Sequence, residues 1–477
     1  MTVGKSKKVL LISPNGNLPN YCLPLSLGYL KSNVSGSHEV KVFDLTLEKI
    51  ETNSLKFREE IQNINPDVVG VTVSIQTYND SINTLKVTKE INNNIVTIMG
   101  GAHPTIYPNF VMKQSIIDYL LTGEGELPFS YFLDNIDNDE RFNTHGLVYR
   151  KNGTIFKNKI WLDEDLDKIK IPDYNAIKLI EYISKGYNYG GFYGKTAPIW
   201  LTRGCPYKCS FCSASLINGT KIRSHSIPYA VQWISHLYDK FNIRQFAIVD
   251  DNFTFYIDYA KEFCESIIKL RENGHFREKI YFATPNGIRI ERVDDELLRM
   301  MKRTGWKGLT VAPESGSRKT LKRMHKNLDP DAVPNIVDRI KSAGLYVRGF
   351  FMVGFPGETH EDIEETIKLI RKTKFDNITI GRFLPIPGTP IFDELVNEGE
   401  ISPDYIPPSG FELWVPTRRD TEKKMYTPKG LEDLNLFKLM LRETLLHFLR
   451  NPGAIIYFFK YYGFMNILKK MFFLSKH

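Results

Sequence analysis

The chain has 477 residues, 42% of them hydrophobic and 25% charged, with a formal net charge of +8. This is too long for one ordinary domain, and two or three are expected, each with ample core. The mild positive excess suits an anionic cofactor or surface, but it is too small to indicate a nucleic-acid partner, and none is expected.

The opening MTVGKSKKVLLISPNG has too short an apolar run for a signal peptide, and no stretch approaches ~18 uninterrupted apolar residues. Three of the five cysteines fall within eight residues, which is not the spacing of a disulfide framework. A cytoplasmic protein is expected. Residues 1–140 alternate short runs rich in β-branched residues (KKVLLISP, HEVKVFDLT, PDVVGVTVS, IVTIMGGAH, DYLLTGEG) with amphipathic stretches such as YNDSINTLKVTKEINN. That alternation predicts a doubly wound, Rossmann-like α/β unit whose parallel sheet is covered on both faces.

Ligands of such sheets sit beyond the carboxyl ends of the strands. Here those ends carry Pro14-Asn15-Gly16, Ser74-Ile75-Gln76-Thr77, Gly100-Gly101-Ala102-His103-Pro104-Thr105 and Gly123-Glu124-Gly125-Glu126. These small, polar loops allow close approach by a cofactor. Gly-Gly-Ala-His-Pro-Thr and Gly-Glu-Gly-Glu, with Pro14-Asn15 and the run Leu-Ser-Leu-Gly-Tyr-Leu at 25–30, resemble the cobalamin-binding domain of cobalamin-dependent radical SAM enzymes. The resemblance implies bound cobalamin, with Gly100, Gly101, His103, Gly123 and Glu124 at the site. The Asp-x-His-x-x-Gly signature of methionine-synthase-type domains is absent, which implies cobalamin without a protein imidazole on cobalt. The alternative is a flavodoxin-like domain that binds nothing. Residues 141–194 read as a linker.

From residue 195 to 400 the strand-like runs are PIWLTRGC, QFAIVDD, KIYFATPN, KGLTVAPES, YVRGFFMVG and NITIGRFLP, with helical segments such as YAKEFCESIIKLRENG and EDIEETIKLIRKT between them. Six such units predict a partial (β/α)6 barrel, whose active site forms at the C-terminal ends of its strands. The first of those ends is Gly204-Cys205-Pro206-Tyr207-Lys208-Cys209-Ser210-Phe211-Cys212. The spacing C-x-x-x-C-x-x-C lets three thiolates converge on one 4Fe-4S cluster and leaves one iron open for S-adenosyl-L-methionine (SAM). A zinc site is the alternative, but zinc sites usually close with a fourth Cys or His nearby, and none follows.

The other strand ends offer Asp250 and Asp251, Arg289, Glu314, and Gly354 and Gly357 as candidate SAM contacts. The carboxylates suit the SAM ammonium or ribose, the guanidinium suits a carboxylate, and the glycines permit close approach. Thr359 and Asp362 also read as a capping box. Cys264, inside an amphipathic segment, reads as a buried small hydrophobe, and Cys22 as incidental. Over residues 1 to about 400 these loops are similar to those of class B radical SAM methyltransferases and the anaerobic magnesium-protoporphyrin IX monomethyl ester cyclase.

Residues 401–430, with Trp414, read as an extended connector over the barrel mouth. The whole stretch 401–477 reads as a C-terminal extension with helical character. From Thr444 to His477 there is no acidic residue, and AIIYFFKYYGFMNILKKMFFLSKH suits either an interfacial helix or a helix packed on the protein, the latter being favoured. The resemblance implies a cobalamin-dependent radical SAM methyltransferase, which cleaves SAM to a 5′-deoxyadenosyl radical and methylates an unactivated carbon. An oxidative cyclase or other non-methylating radical enzyme is the runner-up, and a non-catalytic metal-binding protein is less favoured. Expected partners are a small-molecule, lipid or peptide substrate, an electron donor such as flavodoxin or ferredoxin, and peripheral membrane contact through the tail. Trp200, Trp306 and Trp414 suggest a bulky ligand, though aromatics are also ordinary core material.

Overall fold

The structure, a computed structural model, describes residues 5–15, 22–191, 193–407 and 425–453. Gly16, Trp414 and the run 454–477 lie outside the described residues, as does most of the expected connector. The chain divides into two compact units, neither of them one continuous stretch. The first holds residues 1–187, 213–220 and 385–424, and the second holds 188–212, 221–384 and 425–477.

The first unit is built on strands β1 (Lys8–Ser13), β2 (Glu39–Asp44), β3 (Val68–Thr72), β4 (Val96–Gly100), β5 (Tyr119–Leu121), β6 (Leu147–Lys151) and β7 (Thr154–Lys157). They form one sheet in the order β2-β1-β3-β4-β5-β6-β7. The first five are parallel, and all five are the runs legible in the sequence. Val9 to Ile12 of β1 are all buried, as a central strand covered on both faces requires. Helices Leu25–Asn33, Leu55–Ile64 and Tyr78–Ile91 supply that cover.

The stretch expected as a linker, 141–194, is instead built structure. Within it β6 and β7 add an antiparallel hairpin to the sheet edge, and the first unit runs on to Tyr187. The hairpin was hidden because GLVYRKNGTIFK is charged and half-exposed, so it lacks the apolar density of the buried parallel strands.

In the second unit the strands are β8 (Thr196–Ile199), β9 (Thr202–Arg203), β10 (Arg223–Ser224), β11 (Gln245–Ile248), β12 (Tyr281–Ala283), β13 (Gly308–Glu314), β14 (Tyr346–Val353) and β15 (Asn377–Arg382). Strands β8, β11 and β12 pair in parallel, as do β13, β14 and β15. Parallel bridges Phe282–Trp306 and Ile288–Val311 join the two sets. The result is the partial six-stranded barrel expected from the sequence, with β9 and β10 added as a short antiparallel pair. Helices Ile227–Phe241, Ile257–Glu272, Asp295–Thr304, Val333–Ser342 and His360–Lys372 stand between its strands.

Three of these helices start at side-chain caps. Ser226 accepts from the Tyr229 N–H, Asp294 from that of Leu297, and Thr359 with Asp362 forms the anticipated capping box. Cys264 is fully buried in helix Ile257–Glu272, as expected of a structural cysteine. Trp306 belongs to the core rather than to a ligand: it is fully buried and stacks on Phe282, centroids 4.8 Å apart.

Candidate active site

The cysteine loop follows β9. Gly204 opens it with φ 102°, a left-handed-side conformation that favours glycine. Cys205, Cys209 and Cys212 are not in disulfides, and each is half-buried. Between the last two, Ser210 anchors the loop: its N–H donates to the Met324 carbonyl and its hydroxyl to the Arg323 carbonyl, both at 3.0 Å. The Cys212 N–H closes a turn onto the Cys209 carbonyl at 3.2 Å. Among the described residues no three Cys, His, Asp or Glu side chains already converge at metal-ligand distances. The chemistry of the set, three soft sulfurs on one short loop and no fourth ligand alongside, fits a cluster with an open iron.

Asp250, a candidate SAM contact, braces this loop. Its carboxylate accepts from the Leu201 N–H (2.8 Å), the Thr202 N–H (2.9 Å) and the Thr202 hydroxyl (2.7 Å), and it is only 2% exposed. Burial pushes its pKa up to about 8, against three donors that favour the charged form. Asp250 thus ties the end of β11 to the residues that lead into the cysteines. Asp251 lies close enough to the loop to act on Cys205 electrostatically. Burial raises the Cys205 thiol pKa, the nearby Asp251 and Cys209 raise it further, and Arg289 lowers it.

Arg289 is the most ligand-ready group in the barrel. It stacks over the Tyr207 ring at 3.7 Å, and its Nε faces Glu291 at 3.4 Å. Both terminal nitrogens are buried and have no protein partner. The Asn252 side-chain amide and the Thr284 hydroxyl, at the C-terminal ends of β11 and β12, are likewise buried and unpaired. A buried donor or acceptor without a partner costs about 1–3 kcal/mol, so this set calls for a polar ligand. Asn252 and Thr284 lay in the strand-end loops of the sequence, but no residue pattern singled them out.

Three other candidates also have partners or neighbours within the protein. Glu314 sits in left-handed backbone, φ 69°, and pairs with Lys326 at 3.2 Å, the lysine buried and the glutamate partly so. Gly354 and Gly357 have φ 77° and 75°, and a Cβ on them would come within 2.8 Å of Leu436 and 3.1 Å of Arg323, so backbone conformation and packing already favour glycine at both. The sequence reading missed Glu358. One of its oxygens accepts from the Gly354 (2.7 Å) and Phe355 (3.1 Å) N–H groups, and burial raises its pKa to about 7. It pins the turn that sets Phe355 edge-on against Phe211 of the cysteine loop, centroids 6.2 Å apart.

In the first unit the strand order β2-β1-β3-β4-β5 places a topological switch point between β1 and β3, where ligands of such sheets bind. Around it the loops are small and hydroxylated. The Ser26 and Thr72 hydroxyls lie 3.2 Å apart, and Ser74 with Thr77 caps the next turn. Gly101 has φ 105°, and its Cβ would sit 2.8 Å from the Val73 carbonyl oxygen. Gly100 would meet the Leu121 carbonyl at 3.3 Å, and Gly123 the Ile160 side chain at 2.5 Å. These glycines let the loops after β4 and β5 fold closely onto their neighbours.

Glu124 lies in the loop after β5, in partly exposed surroundings. His103 is 1% exposed, edge-on to Tyr78 at 4.8 Å, with Phe110 and Tyr107 beyond. Burial drives its pKa down to about 4, so it is a neutral imidazole behind the loop, not on its surface. Cys22 lies near Asp44, whose carboxylate accepts from the Tyr182 hydroxyl at 2.5 Å.

A cysteine loop at the C-terminal mouth of a six-stranded parallel half-barrel, carried with a switch-point α/β unit, defines the architecture of a two-cofactor radical enzyme. The B12 binding domain model matches residues 14–133, and the Radical SAM superfamily model matches residues 199–370. The first match falls within the first unit, and the second falls within the second unit apart from residues 213–220, which belong to the first.

An uncharacterized methyltransferase of Pyrococcus horikoshii is 29% identical over 78% of this chain and 78% of its own. The cytidylyl-2-hydroxyethylphosphonate methyltransferase of Streptomyces wedmorensis is 26% identical over 83% of each. The fold matches the radical S-adenosylmethionine methyltransferase TsrM of Kitasatospora setae, solved with cobalamin and its cluster, with a TM-score of 0.71 over 93% of this chain and 91% of that one, at 15% identity. The chain carries a B12 binding domain and a radical SAM domain and is similar to the cobalamin-dependent radical SAM methyltransferases. Its cofactors are the 4Fe-4S cluster, S-adenosyl-L-methionine and cobalamin.

Proposed function

We propose that the protein is a C-methyltransferase that methylates an unactivated carbon. The observation that carries this reading is the likeness to the Streptomyces wedmorensis methyltransferase, which spans both units over 83% of each chain. When bound, the cluster and SAM supply a 5′-deoxyadenosyl radical, and cobalamin supplies a route for the methyl group.

The chain's own residues do the rest. Cys205, Cys209 and Cys212 hold the cluster, and Asp250 and Ser210 hold their loop. The buried terminal nitrogens of Arg289 fork onto the SAM carboxylate, while Asn252, Thr284 and Asp251 meet its remaining polar atoms. The loops at Gly100, Gly101, Gly123 and Glu124 receive cobalamin through backbone and small side chains, with His103 supporting them from behind. A flavodoxin or ferredoxin supplies the electron.

A second reading has its own support. The anaerobic magnesium-protoporphyrin IX monomethyl ester cyclase of Rubrivivax gelatinosus is 27% identical over 83% of this chain. Methyl-labelled SAM given to reconstituted protein together with an extract of the source cells separates the two. A product carrying one labelled carbon, with S-adenosylhomocysteine released, is expected. 5′-Deoxyadenosine with an unlabelled product two or more hydrogens lighter would establish the cyclase reading instead.

A further inference from the structure

Helix Leu436–Arg450 packs on β15, and its Leu436, Leu439, Glu443 and His447 are buried. Glu443 secures it, taking both ends of the Arg371 guanidinium at 2.7 and 3.0 Å. The opposite face is unusual. Leu441, Leu445 and Leu449 are 50%, 55% and 76% exposed, and a spacing of four residues stacks them in one stripe. Exposed cations Lys438, Arg442 and Arg450 lie on the same helix, and its one carboxylate, Glu443, is turned inward.

The sequence that follows continues this composition. Residues 454–477 contain Lys460, Lys469, Lys470 and Lys476, many large apolar side chains and no acidic residue. A leucine stripe flanked only by cations is complementary to one kind of surface, apolar beneath and anionic at its head groups. No helix among the described residues is long and apolar enough to cross a membrane. We infer that the outer face of helix Leu436–Arg450 docks on an anionic phospholipid bilayer, the three leucines entering the acyl boundary and the cations meeting phosphate. This inference does not depend on the methyltransferase reading.

The test is co-sedimentation of the full-length, cofactor-loaded protein with vesicles of phosphatidylcholine alone or mixed with phosphatidylglycerol. Binding is expected only to the anionic vesicles, and it should weaken as salt rises. Replacing the leucines together (Leu441→Ser, Leu445→Ser, Leu449→Ser) should lower vesicle affinity about tenfold or more while iron content and circular dichroism stay unchanged. The separate pair Lys438→Gln and Arg450→Gln should flatten the salt dependence. Undiminished binding of the triple-leucine variant would overturn the proposal. So would equal binding to neutral vesicles, or a parent protein whose dimer falls apart on the leucine substitutions, which would assign the stripe to a second copy of the chain.

Discussion

Both units carry their loops at the C-terminal ends of parallel strands, but they stabilise those loops in opposite ways. In the first unit the means is steric: Gly101 folds onto the Val73 backbone, Gly123 lies under Ile160, and His103 is neutral among aromatics. In the barrel the means is electrostatic: Asp250 holds three donors, Glu314 holds Lys326, and Arg289 keeps two buried nitrogens unpaired. The first arrangement suits a large cofactor recognised by shape and backbone contact. The second suits a small zwitterion recognised by charge. The contrast predicts that substitutions in the two units uncouple corrinoid binding from SAM binding.

The largest effect is expected at the cysteines. Cys209→Ala should abolish cluster iron and 5′-deoxyadenosine formation while bound corrinoid, read from its visible spectrum, persists. Gly101→Ala is the reciprocal break. It forces a Cβ against backbone at φ 105°, which costs about 1–3 kcal/mol, and corrinoid occupancy should fall severalfold with cluster iron retained. Arg289→Ala should raise the SAM dissociation constant about 10- to 100-fold, the loss of charge-assisted bonds worth ~1.5–3 kcal/mol, and leave iron and corrinoid in place.

Asp250→Ala leaves the Leu201 and Thr202 donors buried without an acceptor. It should lower denaturant stability by on the order of 3 kcal/mol and slow cluster loading, whereas Asp250→Asn should restore part of both.

The smallest effect is a pH dependence at His447. Burial lowers its pKa to about 4, with Asp376 opposing and Lys341 and Arg450 adding to the shift. Between the ordinary histidine value of about 6.5 and 4 the unfolded chain binds the proton more readily. Stability should therefore be full above that range and decline as pH falls through it. Thermal melts of His447→Gln should show a flatter slope between pH 6.5 and 4.

Much of this was legible because buried parallel strands must be apolar. All five runs of the first sheet and all six of the barrel fall where the chain forms strands, and the cysteine spacing alone pointed to the cluster. What stayed hidden is side-chain commitment. Asp250 and Glu314 have the composition of ligands, yet the fold uses them internally, since only tertiary contact decides which donors a carboxylate meets. Gly354 and Gly357 answer to Leu436 and Arg323, distant in sequence. Asn252 and Thr284 became candidates only once their burial was known. The β6–β7 hairpin escaped because its exposed face dilutes the hydrophobic pattern.

The most direct test of the two-cofactor account is anaerobic reconstitution with iron, sulfide and hydroxocobalamin, followed by reductant and SAM. The account predicts one corrinoid per chain, a reduced cluster, and both 5′-deoxyadenosine and S-adenosylhomocysteine among the products. Deoxyadenosine without bound corrinoid would contradict the role assigned to the first unit, and zinc in the cysteine loop with no SAM cleavage would contradict the whole.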